Sequence, residues 1–364
     1  MAMTTESDFL DAMETEFASV DSFIQYLEED YNIGTKPGEF NIIGAVNNLP
    51  SKKDFADSIT AVFDKIDSTG DLYLLTTTVE DERVYHYVYM DEKFPIIFTK
   101  ANRTDQIPPT IGKFLQNKHD VGRLLLSQRQ IDEIRKDIVS KYDDLVIPFF
   151  SAKRTPDSNI DARRRPDTDR SLWYRADDGL ETYREMRFNY GILPRIMTFE
   201  HPNRFKFRVK QEGVFVHKSG SIMELWNYLQ QQINRAENIV DCSNTGGYGE
   251  VTSSFFDDKE VHVSSPWAIE VEDGIKSSAL ENFKEHMDDD FWEFGVSEFN
   301  AYPEVPSFEA ELIDENRYER TILKTKDDSI RVFPRELTDV DQSVRIFNFI
   351  SDHFDSDCRA RKVA

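Results

Sequence analysis

Cysteine is nearly absent. The 364 residues hold two, Cys242 and Cys358, far apart and without CxxC spacing. That excludes a disulfide framework or a zinc ribbon as the basis of the fold. The seven histidines (His86, His119, His201, His217, His262, His286 and His353) are scattered singly. None stands four residues from another, so no helical pair for a metal is present. Long apolar runs are missing too, and no stretch approaches the roughly 18 residues of a membrane span. Residues 1–30 carry no Lys or Arg and no uninterrupted apolar run, so a signal peptide is not expected. No P-loop, dinucleotide fingerprint or Gly-x-Ser-x-Gly elbow occurs. The expectation is a soluble, cytoplasmic protein with no cofactor, no metal and no membrane partner, closer to a binding protein than to an enzyme.

Positive charge is in deficit. Lys+Arg number 44 against 68 Asp+Glu, a net charge of −24, and the sequence pI is 4.7. The acids run along almost the whole length, as a coat and not as a tail. This reads as a protein of a salt-loving microbe, where dense carboxylates keep the surface soluble. At 1 M salt the Debye length falls to about 3 Å, so binding there relies on contact, stacking and bidentate geometry. What is present is enough for a core: 39% hydrophobic residues and 27 Phe.

Periodicity predicts a first helix carrying Phe9, Leu10, Met13, Phe17, Val20, Phe23, Ile24 and Leu27. A second is predicted over about Lys52–Ile66. The period then changes to two. Leu72 to Thr76, Val84 to Tyr89 and Phe94 to Thr99 read as an antiparallel meander, with a turn at Glu80–Glu82. Val121 to Leu126 reads as a short strand. Ser127 with Gln130 has capping-box spacing and opens a helix with Ile131, Ile134 and Ile138. Val146 to Phe150 reads as a buried strand. Arg195–Phe199, Phe205–Val209 and Gly213–Val216 read as strands leading into a helix with Ile222, Leu225, Trp226, Leu229 and Ile233. Phe308–Ile313, Arg320–Lys324 and Ile330–Phe333 lead to Thr338, Asp341 and a helix with Val344, Phe347, Ile350 and Phe354. A further helix is expected over about Ser278–Phe291. The chain thus holds three candidate units of three strands followed by a helix, an α+β fold with antiparallel sheets backed by helices. The domain reading is an N-terminal α+β region (1–152), an arginine-rich loop or linker (153–171) and a C-terminal α+β region (172–364).

The charge anomaly is local. Residues 153–175 hold Lys153, Arg154, Arg163, Arg164, Arg165, Arg170 and Arg175 against Asp157, Asp161, Asp167 and Asp169, a net of +3. Pro156 and Pro166 break any period there. Arginine is a rigid bidentate donor for phosphate, and Trp173 beside it supplies a stacking surface. Arg154, Arg163, Arg164, Arg165, Arg170 and Trp173 are therefore the candidate nucleic-acid contacts. The competing expectation is that these arginines pair internally with the acidic coat or with a second subunit.

Other features carry less. Asn244 to Gly249 follows an expected strand, Ile239–Cys242, but lacks the Lys-Ser/Thr of a phosphate cradle and reads as a turn or loop. Asp288, Asp289 and Asp290 are consecutive, so they do not share a helix face. A nuclease-like set, Glu309, Glu311, Asp314 and Lys324, has Ile322 where its second acid belongs. Tyr190–Gly191 reads as a helix end before a Pro-initiated strand. The leading expectation is a nucleic-acid-contacting, regulatory protein. The alternatives are a protein–protein scaffold or oligomer built on the acidic first helix, and a metal-dependent hydrolase or nuclease.

Overall fold

The computed structural model describes residues 10–118, 120–155, 160–243, 249–253, 259–263, 266–272, 274–275, 277–281, 283–288, 291–302, 304, 307–335, 340–355 and 357–363. The fold is α+β with antiparallel sheets. The chain forms two compact units interleaved in sequence. The first comprises residues 1–152, 172–185 and 194–233; the second comprises 153–171, 186–193 and 234–364. Residues 153–171, read above as a loop or linker, thus belong to the second unit.

An eleven-stranded sheet organises the first unit. Its strands are β1 (Phe40–Asn47), β2 (Asp64–Thr69), β3 (Leu72–Val79), β4 (Glu82–Tyr89), β5 (Ile96–Thr99), β6 (Val121–Arg123), β7 (Val146–Arg154), β8 (Arg170–Tyr174), β9 (Leu193–His201), β10 (Phe205–Lys210) and β11 (Val214–Gly220). Their order is β2-β3-β4-β5-β1-β11-β10-β9-β7-β8, with β6 pairing β1. The β3–β4 hairpin turns on Glu80 and Asp81, both left-handed (φ 49° and 68°), as a two-residue loop between right-twisted strands requires.

Helices cover the sheet unequally. The first predicted helix is two pieces, α1 (Leu10–Met13) and α2 (Val20–Glu29). The break follows from Ser19, which caps α2 in a reciprocal box with Ser22 and so starts a new helix. Phe23 of α2 packs on Tyr87 and Phe98 on one sheet face. The predicted second helix also ends early: α3 (Lys52–Thr60) gives way to β2, so Ile66 lies in a strand. Phe55, Ile59 and Phe63 join Ile43, Val88, Ile97, Val214 and Val216 in a core on the other face. Phe114 and Leu115 of α4 (Lys113–Asn117) complete that core. The capping box expected at Ser127 is present and opens α5 (Gln128–Lys141).

The helix α6 (Gly179–Tyr190) follows β8, and α7 (Met223–Ser243) follows β11. Residues Ile239–Cys242, expected as a strand, are the last turns of α7, because Ile222, Leu225, Leu229, Ile233, Ala236 and Val240 sustain a helical stripe. The glycine run 244–248 lies outside the described residues.

The second unit has a ribbon, β12 (Gly249–Ser253) with β13 (Lys259–Val263), and a six-stranded sheet. The sheet strands are β14 (Trp267–Glu270), β15 (Phe294–Tyr302), β16 (Ser307–Asp314), β17 (Arg320–Lys326), β18 (Ser329–Pro334) and β19 (Arg359–Lys362), in the order β15-β16-β17-β18-β14-β19. The expected Ser278–Phe291 helix is represented by α8 (Ser277–Glu281) and α9 (Phe283–Met287), and Thr338, Asp289 and Asp290 lie outside the described residues. The last helix, α10 (Val340–His353), is buried along its length. Its Arg345 meets Asp314 and Asp341 (3.0 Å), donates to the Trp292 carbonyl (2.8 Å) and lies over the Phe294 ring.

Candidate anion-binding surfaces

Among the described residues, no group of three or more His, Cys, Asp and Glu is arranged to hold a metal ion. The nuclease-like carboxylates are engaged by cations. Lys324 pairs with Glu309 (3.0 Å), Arg320 and Arg335 lie 3.7 and 3.6 Å from Glu311, and Asp314 meets Arg345.

The arginine segment is built by its own second-unit contacts. Arg154, at the end of β7, is 3% exposed. Its guanidinium donates to the carbonyls of Ile160 (2.6 Å) and Pro166 (3.4 Å), so it braces both limbs of the loop from inside. Gly191 makes room for it. This residue has φ +61°, and a Cβ there would stand 2.8 Å from Arg154 Nη1. The loop then lies along the last turn of α6. The Arg164 N–H donates to the Asn189 carbonyl (2.8 Å), Arg163 stacks 3.7 Å over Phe188, and Arg170 stacks 4.1 Å over Tyr190.

Arg163, Arg164 and Arg165 are exposed, Arg170 is half-buried, and none makes an ion pair with a described carboxylate. The guanidinium faces of Arg163 and Arg170 rest on rings, a geometry that leaves the N–H edges of the fork available. Five of the six sequence candidates thus come together on one loop, with Arg154 as a brace and the others at the surface. Trp173 belongs to the first unit, where it is 71% exposed and packs edge-on against Phe149 (5.9 Å).

A second group of cations was not evident in the sequence. It lies in the first unit on the β9–β11 part of the sheet. Strand β10 reads Phe205-Lys206-Phe207-Arg208-Val209-Lys210, with the apolar residues buried and the basic ones half-buried on the opposite face. Arg208 pairs across the ladder with Thr198, and its Nε donates to the Thr198 hydroxyl (2.9 Å). Arg208 and Arg175 both lie over the Phe149 ring, at 5.0 and 5.6 Å. Glu39 accepts from Lys218 (2.5 Å) and pairs with Arg103 (2.9 Å).

The charges in this group act on one another. Burial and the Arg103 charge pull Arg208 below the usual guanidinium range, against the pull of Glu39, and Arg175 adds to the lowering. Burial first, then Arg103 and Arg208, lowers Lys210, against Glu212 and Glu39. Lys218 is lowered by burial despite its hydrogen bond to Glu39. Burial alone would raise Glu39, but Lys218, Arg103 and Arg208 outweigh it and hold its carboxyl low. The alternation of basic residues on β10 was the one local signal. Arg103, Arg175, Lys218 and Glu39 come from distant segments and only the topology gathers them.

Two comparisons with known proteins bear on this region. The AF_0896_M family middle domain matches residues 129–212. That span includes the arginine loop, Trp173, Arg175, Arg208 and Lys210. Over 347 residues the chain is 24% identical to an uncharacterized protein of Archaeoglobus fulgidus, covering 92% of this chain and 93% of that protein.

Proposed function

We propose that this protein contacts nucleic acid through Arg163, Arg164, Arg165 and Arg170. The observation that carries the reading is that none of these four guanidinium groups forms an ion pair with a described carboxylate, in a chain of net charge −24. Arginines retained only to neutralise the acidic coat would sit against it. These stack on aromatic rings or stand at the surface, in a loop pinned by Arg154. Guanidinium groups presented in this way suit phosphate oxygens, which fix a strand's position without reading its sequence. The net negative charge opposes a polyanion elsewhere on the acidic coat, so contact at the loop depends on salt.

The test is fluorescence anisotropy of labelled single- and double-stranded DNA and RNA across a potassium chloride series. Binding is expected, with a salt slope that counts the phosphates neutralised. The triple substitution Arg163→Glu, Arg164→Glu, Arg165→Glu is expected to abolish it with an unchanged melting temperature. Equal affinity in that variant would overturn the proposal.

A further inference from the structure

The second cationic group faces a different requirement from the loop. Arg103, Arg175, Arg208, Lys210 and Lys218 stand together, and the carboxylates that act on Arg208, Lys210 and Lys218 are Glu39 and Glu212. Arg208, Lys210 and Lys218 are partly withdrawn from water, where like charges cost most. A purely structural cluster would be neutralised, as Lys206 is by Glu200 (2.6 Å) on the neighbouring rung of the same ladder. Here the Lys210 ammonium makes no ion pair or hydrogen bond with a described residue. Arg208 has Thr198 as its sole described acceptor, through Nε, which leaves its terminal nitrogens for another. Among the described residues, the Arg175 guanidinium lies over the Phe149 ring and forms no ion pair.

The surroundings are aromatic as well as cationic. Phe149 is shared by Arg208, Arg175 and Trp173, so the exposed indole lies within one nucleotide's length of the Arg208 guanidinium. Tyr174, the next residue, stacks on Phe150 instead (5.4 Å), so alternation along β8 and β7 places Trp173 and Phe149 together. A planar ring on Trp173 and an anion at Arg208 and Lys210 would be held at once.

We infer that this sheet face binds a small phosphorylated ligand with a planar aromatic group, of mononucleotide type, its phosphate at Arg208 and Lys210 and its ring on Trp173. None of its residues is one of the loop arginines of the nucleic-acid proposal. Its ligand neutralises the surplus charge that the protein itself leaves.

The test is isothermal titration of the full-length chain with AMP, with inorganic pyrophosphate and with a short single-stranded oligonucleotide. AMP and pyrophosphate are expected to bind saturably. Arg208→Gln with Lys210→Met should weaken both by at least about tenfold, the loss of charge-assisted hydrogen bonds. Trp173→Ala, at an exposed position that leaves the fold intact, should weaken AMP about tenfold while leaving pyrophosphate unchanged. The loop triple variant should bind AMP as the wild type does, even if it fails to bind the oligonucleotide. No saturable binding of AMP or pyrophosphate by the wild-type chain would overturn the inference. So would AMP affinity indifferent to the Arg208/Lys210 and Trp173 substitutions. Oligonucleotide binding that needs Arg208 and Lys210 while AMP does not bind would also overturn it, because the face would then serve the polymer alone.

Discussion

Arg345 and Arg208 are both withdrawn from water, and their surroundings are opposites. Arg345 is enclosed by Asp314, Asp341, a backbone carbonyl and an aromatic ring, and burial notwithstanding, Asp341 and Asp314 raise its proton affinity. Arg208 has one hydroxyl, two neighbouring cations and a distant carboxylate, and its proton affinity is lowered. A cation whose lone-pair partners are all supplied by the chain is part of the framework. One left with partners missing is shaped for something that arrives later. His86 is a third case. It is fully buried on β4, and burial holds its pKa down to about 3, so it stays neutral. The Thr99 hydroxyl donates to the Tyr85 carbonyl and so accepts from His86 Nδ1–H (3.1 Å).

The largest effect should come from breaking the enclosed cation. Arg345→Met leaves Asp314 and Asp341 buried without their counter-charge, and urea denaturation should show a loss of about 3–5 kcal/mol. Arg208→Gln should cost less than about 1 kcal/mol, because no buried partner is stranded. Equal losses in the two variants would erase the contrast.

Acid sharpens the neutral case. The His86 pKa is lower in the folded state than the ordinary 6.5, so between 6.5 and about 3 the unfolded chain binds one proton more. Stability therefore falls with decreasing pH in that window, by about 1.4 kcal/mol per unit from this group. His86→Leu should remove that slope, read as the difference between variant and wild type in denaturant midpoints at pH 6.5, 5.5 and 4.5.

Smaller effects follow at the loop. Gly191→Ala adds a Cβ at positive φ against Arg154, and should cost about 1–2 kcal/mol. Because it loosens the brace, it should also lower oligonucleotide affinity without altering AMP affinity. A similarly small stability change is expected for Glu39→Gln, about 1 kcal/mol or less, since the pair is part-exposed. That variant should bind pyrophosphate more tightly, as Lys218 and Arg103 lose their carboxylate. Weaker pyrophosphate binding would mean that Glu39 orders the site instead of competing with the ligand.

Local chemistry made much of this fold legible. The Ser127–Gln130 cap, the Glu80–Asp81 hairpin and the strand run from β9 to β11 followed by α7 all rest on neighbours within a few residues. What escaped depended on competition or distance. Apolar spacing ran smoothly through Phe17 and Val20, and only the reciprocal Ser19–Ser22 cap divides α1 from α2. The same spacing ran through Ile66, which pairing with β3 claims for a strand. The loop arginines were visible because they are consecutive. Their rings, Phe188 and Tyr190, were not, since the chain returns to them through β8 and α6. Arg103 and Glu39 likewise meet Arg208 only through sheet order.

The interleaving of the two units has a consequence for synthesis. As the chain leaves the ribosome, the second unit's residues 153–171 emerge before the first unit's 172–185 and 194–233. The first unit lacks β9, β10 and β11 until residue 220 has appeared, so its β1 edge waits for β11 while later-folding sequence is already exposed. Neither unit corresponds to a continuous stretch that could be excised, duplicated or shuffled by a single crossover.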